Sequence, residues 1–334
     1  MDKTPSLPLV RRIFADYCDR HGLSLICDEG SGQAGYIELA DGRRRFFRGT
    51  HFDLNPLGAA EIADDKAYTL SFLKRDGFTI PESMLIHGFD VLAGLRVHKP
   101  EIAAKMHSAE DALQFAETVG YPVFVKPNSG QEGEDVLRLD DQAGLQHALT
   151  NLLLRHSSLL AQRCVEGADL RILVLDGEIL LALDRQPVQV EGDGERTVEQ
   201  LAFGVAGLNF RDPRVEPELT RQGLGPASIP EKGQIVELLP NKNLSAGAKA
   251  RDITNSVADD LKETAISICG SLGLRYAGID LIAENPKKPG SRYAVLEVNA
   301  APGLNRYAAQ GAEELAKVTS VYERVLDALT GKST

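Results

Sequence analysis

Residues 274–303 have the sequence LRYAGIDLIAENPKKPGSRYAVLEVNAAPG, and this stretch does most to decide the fold. Two apolar runs, near 276–283 and 292–299, flank a segment rich in proline, glycine and charge, which predicts two strands joined by a turn. Asp280 lies in the first run, whereas Glu297 and Asn299 share one face of the second, because strand side chains alternate. These oxygen donors suit a hard cation such as Mg²⁺. Solvent-facing strand-end acids are the alternative interpretation, which their apolar neighbours disfavour.

A second candidate site follows the apolar strand VFVK at 123–126, which leads into the loop KPNSGQEG at 126–133. Glycines let backbone N–H groups approach a phosphate closely, and a lysine at the strand end supplies positive charge. Lys126, Ser129, Gly130 and Gly133 are therefore candidate phosphate-binding residues. The loop matches neither G-x-x-x-x-G-K-[ST] nor G-x-G-x-x-G, so a plain surface turn is the alternative.

The third candidate is the segment KNLSAG at 242–247, which follows the predicted strand IVELL and is rich in small residues. Lys242 and Asn243 could belong to a loop that closes over bound phosphates and excludes water. An ordinary connection between elements is the alternative.

Alternating helix and strand patterns along the rest of the chain predict an α/β design. Helices are expected from Asp64 or Asp65 to about Arg75, and from a capping box of Ser108 and Asp111 to Gly120. A helix opened by Ser256 with Asp259 is expected to stop at Gly273. The remaining predicted helices cover 7–21, 141–156, 197–203 and 311–329, and the remaining strands cover 23–27, 35–39, 44–47, 159–163 and a hairpin around Asp176-Gly177.

Taken in order, five stretches resemble the ATP-grasp superfamily over about residues 62–305, and in particular the ATP-grasp domain of cyanophycin synthetase. The stretches are DDKAYTLSFLKRDGFTIPES, YPVFVKPNSGQEGEDV, LLAQRCVEGADLRILVLDGEILLALDRQPVQVEGDGERTVEQL, KNLSAGAKARDIT, and LRYAGIDLIAE with LEVNAAPG. The resemblance implies an α/β (α+β) ATP-grasp fold, with two α/β lobes clasping ATP and a short N-terminal lobe. The expected divisions are a short N-terminal lobe at 1–62, a linker and helical part at 63–120, a central lid subdomain at 121–185 and a C-terminal subdomain at 186–334.

The resemblance also implies a role for each matching residue. Lys66 and Lys126 would contact the phosphates and the adenine edge, under a loop formed by Ser129–Gly133. The implied adenine hinge is Gln162, Arg163, Cys164 and Val165, with Asp169 on the ribose. Asp280, Glu297 and Asn299 would hold two Mg²⁺ ions, for which Mn²⁺ is a substitute. Arg171 and Arg185 would stabilise transferring charge or instead form surface ion pairs. Lys242, Asn243 and Gly247 would belong to the closing loop, and Gly303 with Arg306 would bind a substrate carboxylate.

Some residues depart from the family pattern. Gln162 stands where an acidic residue is common, Lys242 where arginine is frequent, and Ala248 where a second glycine is usual. The N-terminal lobe is also short, which makes acceptor selection the least transferable part of the resemblance.

The expected activity is ATP-dependent ligation of a carboxylate to an amine through an acyl phosphate, with amino acids or small peptides as substrates and ADP as product. A catalytically inactive ATP-binding regulatory or carrier-recognition module is the alternative, which the retained metal-ligand set disfavours. A nicotinamide oxidoreductase would need a G-x-G-x-x-G that follows its first strand and opens a helix; the G-S-G-Q-A-G at 30–35 follows the predicted strand 23–27 but leads into the predicted strand 35–39. A serine hydrolase would need a G-x-S-x-G elbow, which does not occur. His51, just before the ATP-grasp region, could face the substrate.

The bulk composition narrows the partners and the compartment. A net charge of -11 over 334 residues argues against broad nucleic-acid binding, and Arg43-Arg44-Arg45 is the only basic cluster. The sequence contains no apolar run long enough to span a membrane and no signal-like N-terminus, so we expect a cytoplasmic protein. Four scattered cysteines suit a reducing compartment. The short first lobe makes a homodimer plausible.

Overall fold

The computed structural model describes residues 8–130, 134–205, 208–240 and 247–332. Gly133, Lys242 and Asn243, three predicted site residues, lie outside these ranges. None of the helices in the described ranges is long and apolar enough to cross a membrane.

The N-terminal segment forms one helix and a four-stranded antiparallel sheet in the order β1-β2-β3-β4. These elements are α1 (Leu9–His21), β1 (Ser24–Cys27), β2 (Ala34–Glu38), β3 (Arg44–Arg48) and β4 (His51–Phe52). α1 ends at Gly22, whose φ of 63° is a left-handed conformation that glycine adopts without strain. The predicted helix and strands of this segment are confirmed.

Two short helices, α2 (Leu57–Asp64) and α3 (Lys66–Arg75), lead into the second sheet. Asp65 caps α3 by accepting a hydrogen bond from the Tyr68 amide, as the sequence predicts. The elements that follow are β5 (Ser83–His87), α4 (Phe89–His98), α5 (Pro100–Ala103), α6 (Ala109–Val119), β6 (Val123–Pro127), β7 (Leu137–Leu139), α7 (Gln142–Leu152) and β8 (Ser158–Arg163). β5, β6, β7 and β8 form the antiparallel lid sheet in the order β5-β8-β6-β7, and α6 and α7 pack on it.

The C-terminal half contains the five-stranded central sheet, in the order β13-β10-β9-β14-β15. Its elements, with the segments between them, are β9 (Ala168–Leu175), β10 (Glu178–Gln186), β11 (Gln189–Glu191), α8 (Val198–Ala202), α9 (Val215–Arg221), β12 (Ile235–Glu237), β13 (Lys249–Asp252), α10 (Asp259–Ser271), β14 (Tyr276–Ala283), β15 (Tyr293–Asn299), α11 (Asn305–Ala308) and α12 (Ala312–Thr330). Neighbouring strands of the central sheet are antiparallel. Helices packed on antiparallel sheets confirm the predicted fold class.

One helix start was predicted wrongly. α10 begins at Asp259 after Ala258, and neither Ser256 nor any other side chain caps it. The Ser256 hydroxyl instead donates to the carbonyl of Ile253, at 3.3 Å, because a turn precedes the helix.

The N-terminal segment shares a hydrophobic core with the C-terminal half. Phe14 of α1 and Phe52 of β4 lie in one buried cluster with Tyr276 of β14 and Tyr322 of α12. A second cluster joins α10 to β9, β14 and β15 of the central sheet, and a third lies in the lid sheet. The short N-terminal segment therefore packs on the central sheet rather than standing apart from it.

Candidate active site

The main candidate site is a cleft of about 510 Å³ between the loop after β6, the α2–α3 region and the end of β15. Its volume lies in the range typical of small-molecule sites, roughly 300–1,000 Å³. Several predicted site residues line the cleft, namely Lys66, Ser129, Gly130, Glu297 and Asn299. The fold therefore brings together three segments that are far apart in the sequence.

Lys66 connects two walls of this cleft. As the first residue of α3, it projects from the helix start, and its Nζ donates to the Gly130 carbonyl at 3.1 Å. The same Nζ lies 3.7 Å from a carboxylate oxygen of Glu297, with 11% of the lysine side chain exposed. A cation here can interact with an anionic ligand without losing its protein partners.

Lys126 is a buried cation at the end of β6. Its Nζ donates to Oε1 of Gln162 at 3.1 Å, and Nε2 of Gln162 donates to Ser83 at 3.1 Å. Burial lowers the pKa of Lys126, and the nearby carboxylate of Glu297 opposes that decrease. Gln162, where an acid is common in the family pattern, thus serves as a neutral partner for this lysine.

A charged network crosses the central sheet beneath the cleft. Asp280 of β14 pairs in register with Arg171 of β9, and both arginine contacts to its carboxylate measure 2.7 Å. Arg185 of β10 also donates to Asp280 at 3.0 Å and to Asp169 at 2.9 and 2.6 Å. The four residues were predicted separately, and the antiparallel register brings them into contact.

The pKa values within this network move in a consistent direction. Burial alone would raise the pKa of Asp280, but Arg171 and Arg185 hold it below its usual range. Burial opposes protonation of Arg185, while Asp169 and Asp280 raise its pKa above the ordinary value. Asp280, Arg171 and Arg185 are therefore charged at neutral pH.

The predicted metal ligands offer oxygen atoms of the kind that Mg²⁺ prefers. Asp280 and Glu297 are direct neighbours across β14 and β15, and the Asn299 amide lies 3.4 Å from Glu297. Across the described parts of the chain, no group of three or more His, Cys, Asp or Glu side chains could hold a metal. A cation here would accordingly need the Asn299 oxygen or oxygens of a ligand, and that donor chemistry fits nucleotide-bound Mg²⁺.

The predicted adenine hinge lies at the end of β8. The amide of Arg163 donates to the Glu82 carbonyl at 2.9 Å, and the amide of Cys164 donates to the Pro122 carbonyl at 3.3 Å. The Arg163 side chain is half-exposed and pairs with Glu82 at 3.2 Å. A hinge at Gln162–Val165 would therefore have to use backbone groups other than these two amides.

The predicted carboxylate-binding residues Gly303 and Arg306 are exposed, in the loop after β15 and in α11. The N-terminal segment holds the start of this loop, because the Thr50 hydroxyl donates to the Ala301 carbonyl at 2.7 Å. Asn55 donates to the carbonyls of Tyr276 at 2.7 Å and of Ala300 at 3.0 Å.

Sequence reasoning missed several polar residues that organise the site: Thr50, Asn55, Ser83, Asn128, and Asp65 as the acceptor of a hydrogen bond from Asn128. Asn128 lies inside the loop quoted as a phosphate site, yet it is only 3% exposed. A buried amide needs hydrogen-bond partners, but the sequence does not show which residues supply them.

Comparison with known proteins agrees with this arrangement. A family model described as a RimK-like ATP-grasp domain matches residues 63–196 and 240–319, well over half of the chain. The chain belongs to the RimK-like ATP-grasp family. ATP-grasp ligases use ATP and divalent metal ions.

Named relatives of this ATP-grasp chain are larger proteins. It is 28% identical over 300 residues to the glutathione biosynthesis bifunctional protein GshAB of Enterococcus faecalis, covering 82% of this chain and 39% of the relative. It is 28% identical over 273 residues to cyanophycin synthetase of Crocosphaera subtropica, covering 75% and 29%. The chain thus spans well under half the length of these relatives.

A solved structure with a similar fold is a bifunctional glutathione synthetase from Pasteurella multocida, with a TM-score of 0.58 and 20% identity. The match covers 96% of this chain and 44% of the other. The uncovered 4% is much shorter than the N-terminal 62 residues, so most of that segment belongs to the shared fold.

Proposed function

We propose that the chain is an ATP-dependent carboxylate–amine ligase that forms an amide between amino acids or small peptides through an acyl phosphate, releasing ADP and phosphate. The observation that carries the proposal is the meeting of Lys66 and Glu297 across one cleft, Nζ to carboxylate oxygen 3.7 Å, in a chain of the ATP-grasp family. ATP as a substrate and four cysteines without a disulfide support a cytoplasmic location.

In the first step, an oxygen of the substrate carboxylate attacks the γ-phosphorus of ATP, the bond to the β,γ-bridging oxygen breaks, and ADP leaves. In the second step, the nitrogen of a neutral amine attacks the acyl carbon, the bond to the phosphate oxygen breaks, and the phosphate leaves with the amine proton. The first step brings together two anionic groups. Catalysis must therefore be mostly electrostatic, which calls for fixed cations in a water-poor cleft.

The charged residues supply that electrostatic environment. Lys66 and Lys126 would offset charge on the phosphates, and the ion-paired positions of Arg171 and Arg185 fix two guanidinium groups beneath the cleft. Asp280, Glu297 and Asn299 would hold Mg²⁺, two ions in our proposal, which neutralises phosphate charge when bound. Gly303 and Arg306 would bind the substrate carboxylate.

The first experiment measures ADP and phosphate released from MgATP with amino acids and dipeptides offered singly and in pairs, and mass spectrometry of the products. Pair-dependent ADP with a new amide is the expected result. AMP and pyrophosphate would contradict the acyl-phosphate route. Tight ATP binding without turnover on any pair would favour a regulatory or carrier-recognition module.

The metal-ligand assignment is tested with Glu297→Ala. Loss of one group that stabilises the transition state costs about 3 to 4 kcal/mol, so amine-dependent ADP release should fall roughly 100- to 1000-fold. The matched control is Glu284→Ala, which removes an exposed acid from the turn directly after β14, where Glu284 pairs with Arg292 on the surface. Near-normal turnover by Glu297→Ala, with an unchanged unfolding midpoint, would refute the assignment.

A further inference from the structure

Asn128 is a buried amide that joins the lid sheet to α3. Its Nδ2 donates to Oδ2 of Asp65 at 2.8 Å, and its Oδ1 accepts from the Ala67 amide at 2.9 Å. Its backbone takes part as well, because the Lys66 amide donates to the Asn128 carbonyl at 3.3 Å. The residue that follows β6 is thereby attached to the first turn of α3 by three hydrogen bonds.

Asp65 has two roles at the same point. One carboxylate oxygen caps α3 through the Tyr68 amide at 2.9 Å, and the other accepts from Asn128. Lys66 comes next in the sequence, and its Nζ contacts Gly130 and Glu297. A continuous set of contacts thus runs from the loop after β6, through the start of α3, to the end of β15.

The position of this set relates it to the nucleotide. Asp65, Lys66, Ser129 and Gly130 all line the cleft, whereas Asn128 lies behind them and is 3% exposed. A buried hydrogen bond to a charged partner contributes more than a neutral one, and leaving either group unpaired costs additional free energy. A shift of the loop relative to α3 would therefore break well-formed bonds before it moved Lys66.

We propose that the Asp65–Asn128 bridge, defined by these two side chains, is a positioning device that fixes the Ser129–Gly130 loop and Lys66 for binding the phosphates of ATP. The proposal rests on the proposed function for its ligand and names neither residue as catalytic. It predicts that ATP affinity depends on the hydrogen bond between these side chains rather than on their identities.

The chain permits a swap that tests this directly. Asn128→Asp places two carboxylates against each other, and Asp65→Asn places two amides there. In the double variant Asp65→Asn/Asn128→Asp, the amide at 65 can still accept from Tyr68 and donate to position 128. The carboxylate at 128 can still accept from Ala67. The exchanged pair therefore restores every side-chain bond, and only the bond between positions 65 and 128 has its donor and acceptor reversed.

The measurement is the dissociation constant of MgATP by calorimetry, with KM for ATP and kcat from the ADP assay. Each single variant should weaken MgATP binding about 10- to 100-fold. The double variant should recover most of that loss, because paired substitutions within one contact are not additive. The matched control is Ser271→Ala, which removes a hydrogen bond to Asp76 at the other end of α3 and should leave MgATP affinity unchanged.

Two results would overturn the bridge. One is a single variant that binds MgATP like wild type. The other is a double variant that is as weak as the single variants or weaker while its melting temperature is normal, which would mean that residue identity and not the bond matters. A wild-type chain that binds MgATP but forms no amide contradicts the ligase proposal instead, and the affinity comparison still decides the bridge.

Discussion

Arg185 illustrates how single residues beneath the cleft depend on one another. Its guanidinium group is shared between Asp169 and Asp280, and only 8% of its side chain is exposed. Burying ions is costly, and the cost is offset here by pairing and by several hydrogen bonds at once. Removing one partner takes charge compensation from the others, which makes this network sensitive to single substitutions.

For Arg185→Met we expect a loss of about 3 to 5 kcal/mol in the free energy of unfolding at pH 7, because the carboxylates of Asp169 and Asp280, with 14% and 2% of their side chains exposed, lose their shared cation. Urea unfolding measures the loss. The control, Arg292→Met, breaks an exposed pair with Glu284 and should cost less than about 1 kcal/mol. A cost for Arg185→Met as small as that of the control would contradict the network.

The same variant has a predictable pH dependence. In wild type, the depressed pKa of Asp280 contributes stability that is present above the unfolded value of about 3.9 and is lost as pH falls through the folded value. Without Arg185 the folded pKa of Asp280 rises, so protonation relieves part of the cost. The stability difference between the two proteins should stay nearly constant from pH 7 down to about 4 and narrow below that, as Asp280 takes up a proton in the variant before it does so in wild type.

The sequence identified most of the charged residues of the site but not their contacts. Asp280, Glu297 and Lys126 were singled out by their positions in or at the end of predicted strands, and Lys66 by the resemblance to the ATP-grasp superfamily. The pairing of Asp280 with Arg171 depends on β14 lying beside β9, which are about 100 residues apart in the chain. Strand register over such distances is set by packing, so a single sequence cannot give it.

At the scale of elements, the start of α6 allows a direct test of how a capping box stabilises a helix. Ser108 accepts from the Asp111 amide, and Asp111 accepts from the Ser108 amide at 2.7 Å, which completes a capping box. Ser108→Ala should lower the free energy of unfolding by about 1 kcal/mol, measured in urea. MgATP affinity should stay unchanged, because α6 packs on the lid sheet away from the cleft.

The comparison variant is Ser71→Ala, within α3 on an exposed position that is not a cap. Alanine favours helix over serine, so this change should be neutral or slightly stabilising. Equal effects of the two serine substitutions would argue against the capping box.

Elements with strong local signals were predicted well. The capped helices α3, α6 and α7 and the hairpin of β9 and β10 follow from local caps and turns. The sequence analysis missed β5, β7, β11 and β13, which are strands of three to five residues. Such short strands contain too few residues to show a clear alternation of apolar and polar side chains. Their partner strands, rather than local preference, stabilise them.

For the whole molecule, the shared core of the N-terminal segment and α12 predicts linked stability. Phe14 is fully buried, with its ring centroid 4.9 Å from that of Phe47. Phe14→Ala should cost about 3 to 5 kcal/mol. Hydrogen exchange measured by mass spectrometry should become faster in α12 and at the start of β14, although both are more than 250 residues away.

The control is Ile86→Ala, in the separate core of the lid sheet. This change should speed exchange in β5, β8 and α6 more than in α12. If Phe14→Ala affected α1 and its sheet alone, the N-terminal segment would unfold independently, contrary to the shared core.

The segment between β10 and β13 has a core of its own. One buried cluster in this segment includes Val190, Val198, Leu219 and Val236. The family model does not match residues 197–239, which lie within the same segment. Because these side chains bury one another, mutations there can accumulate without disturbing the packing of the central sheet. We therefore expect this segment to tolerate replacement by another folded sequence better than the strands of the central sheet do.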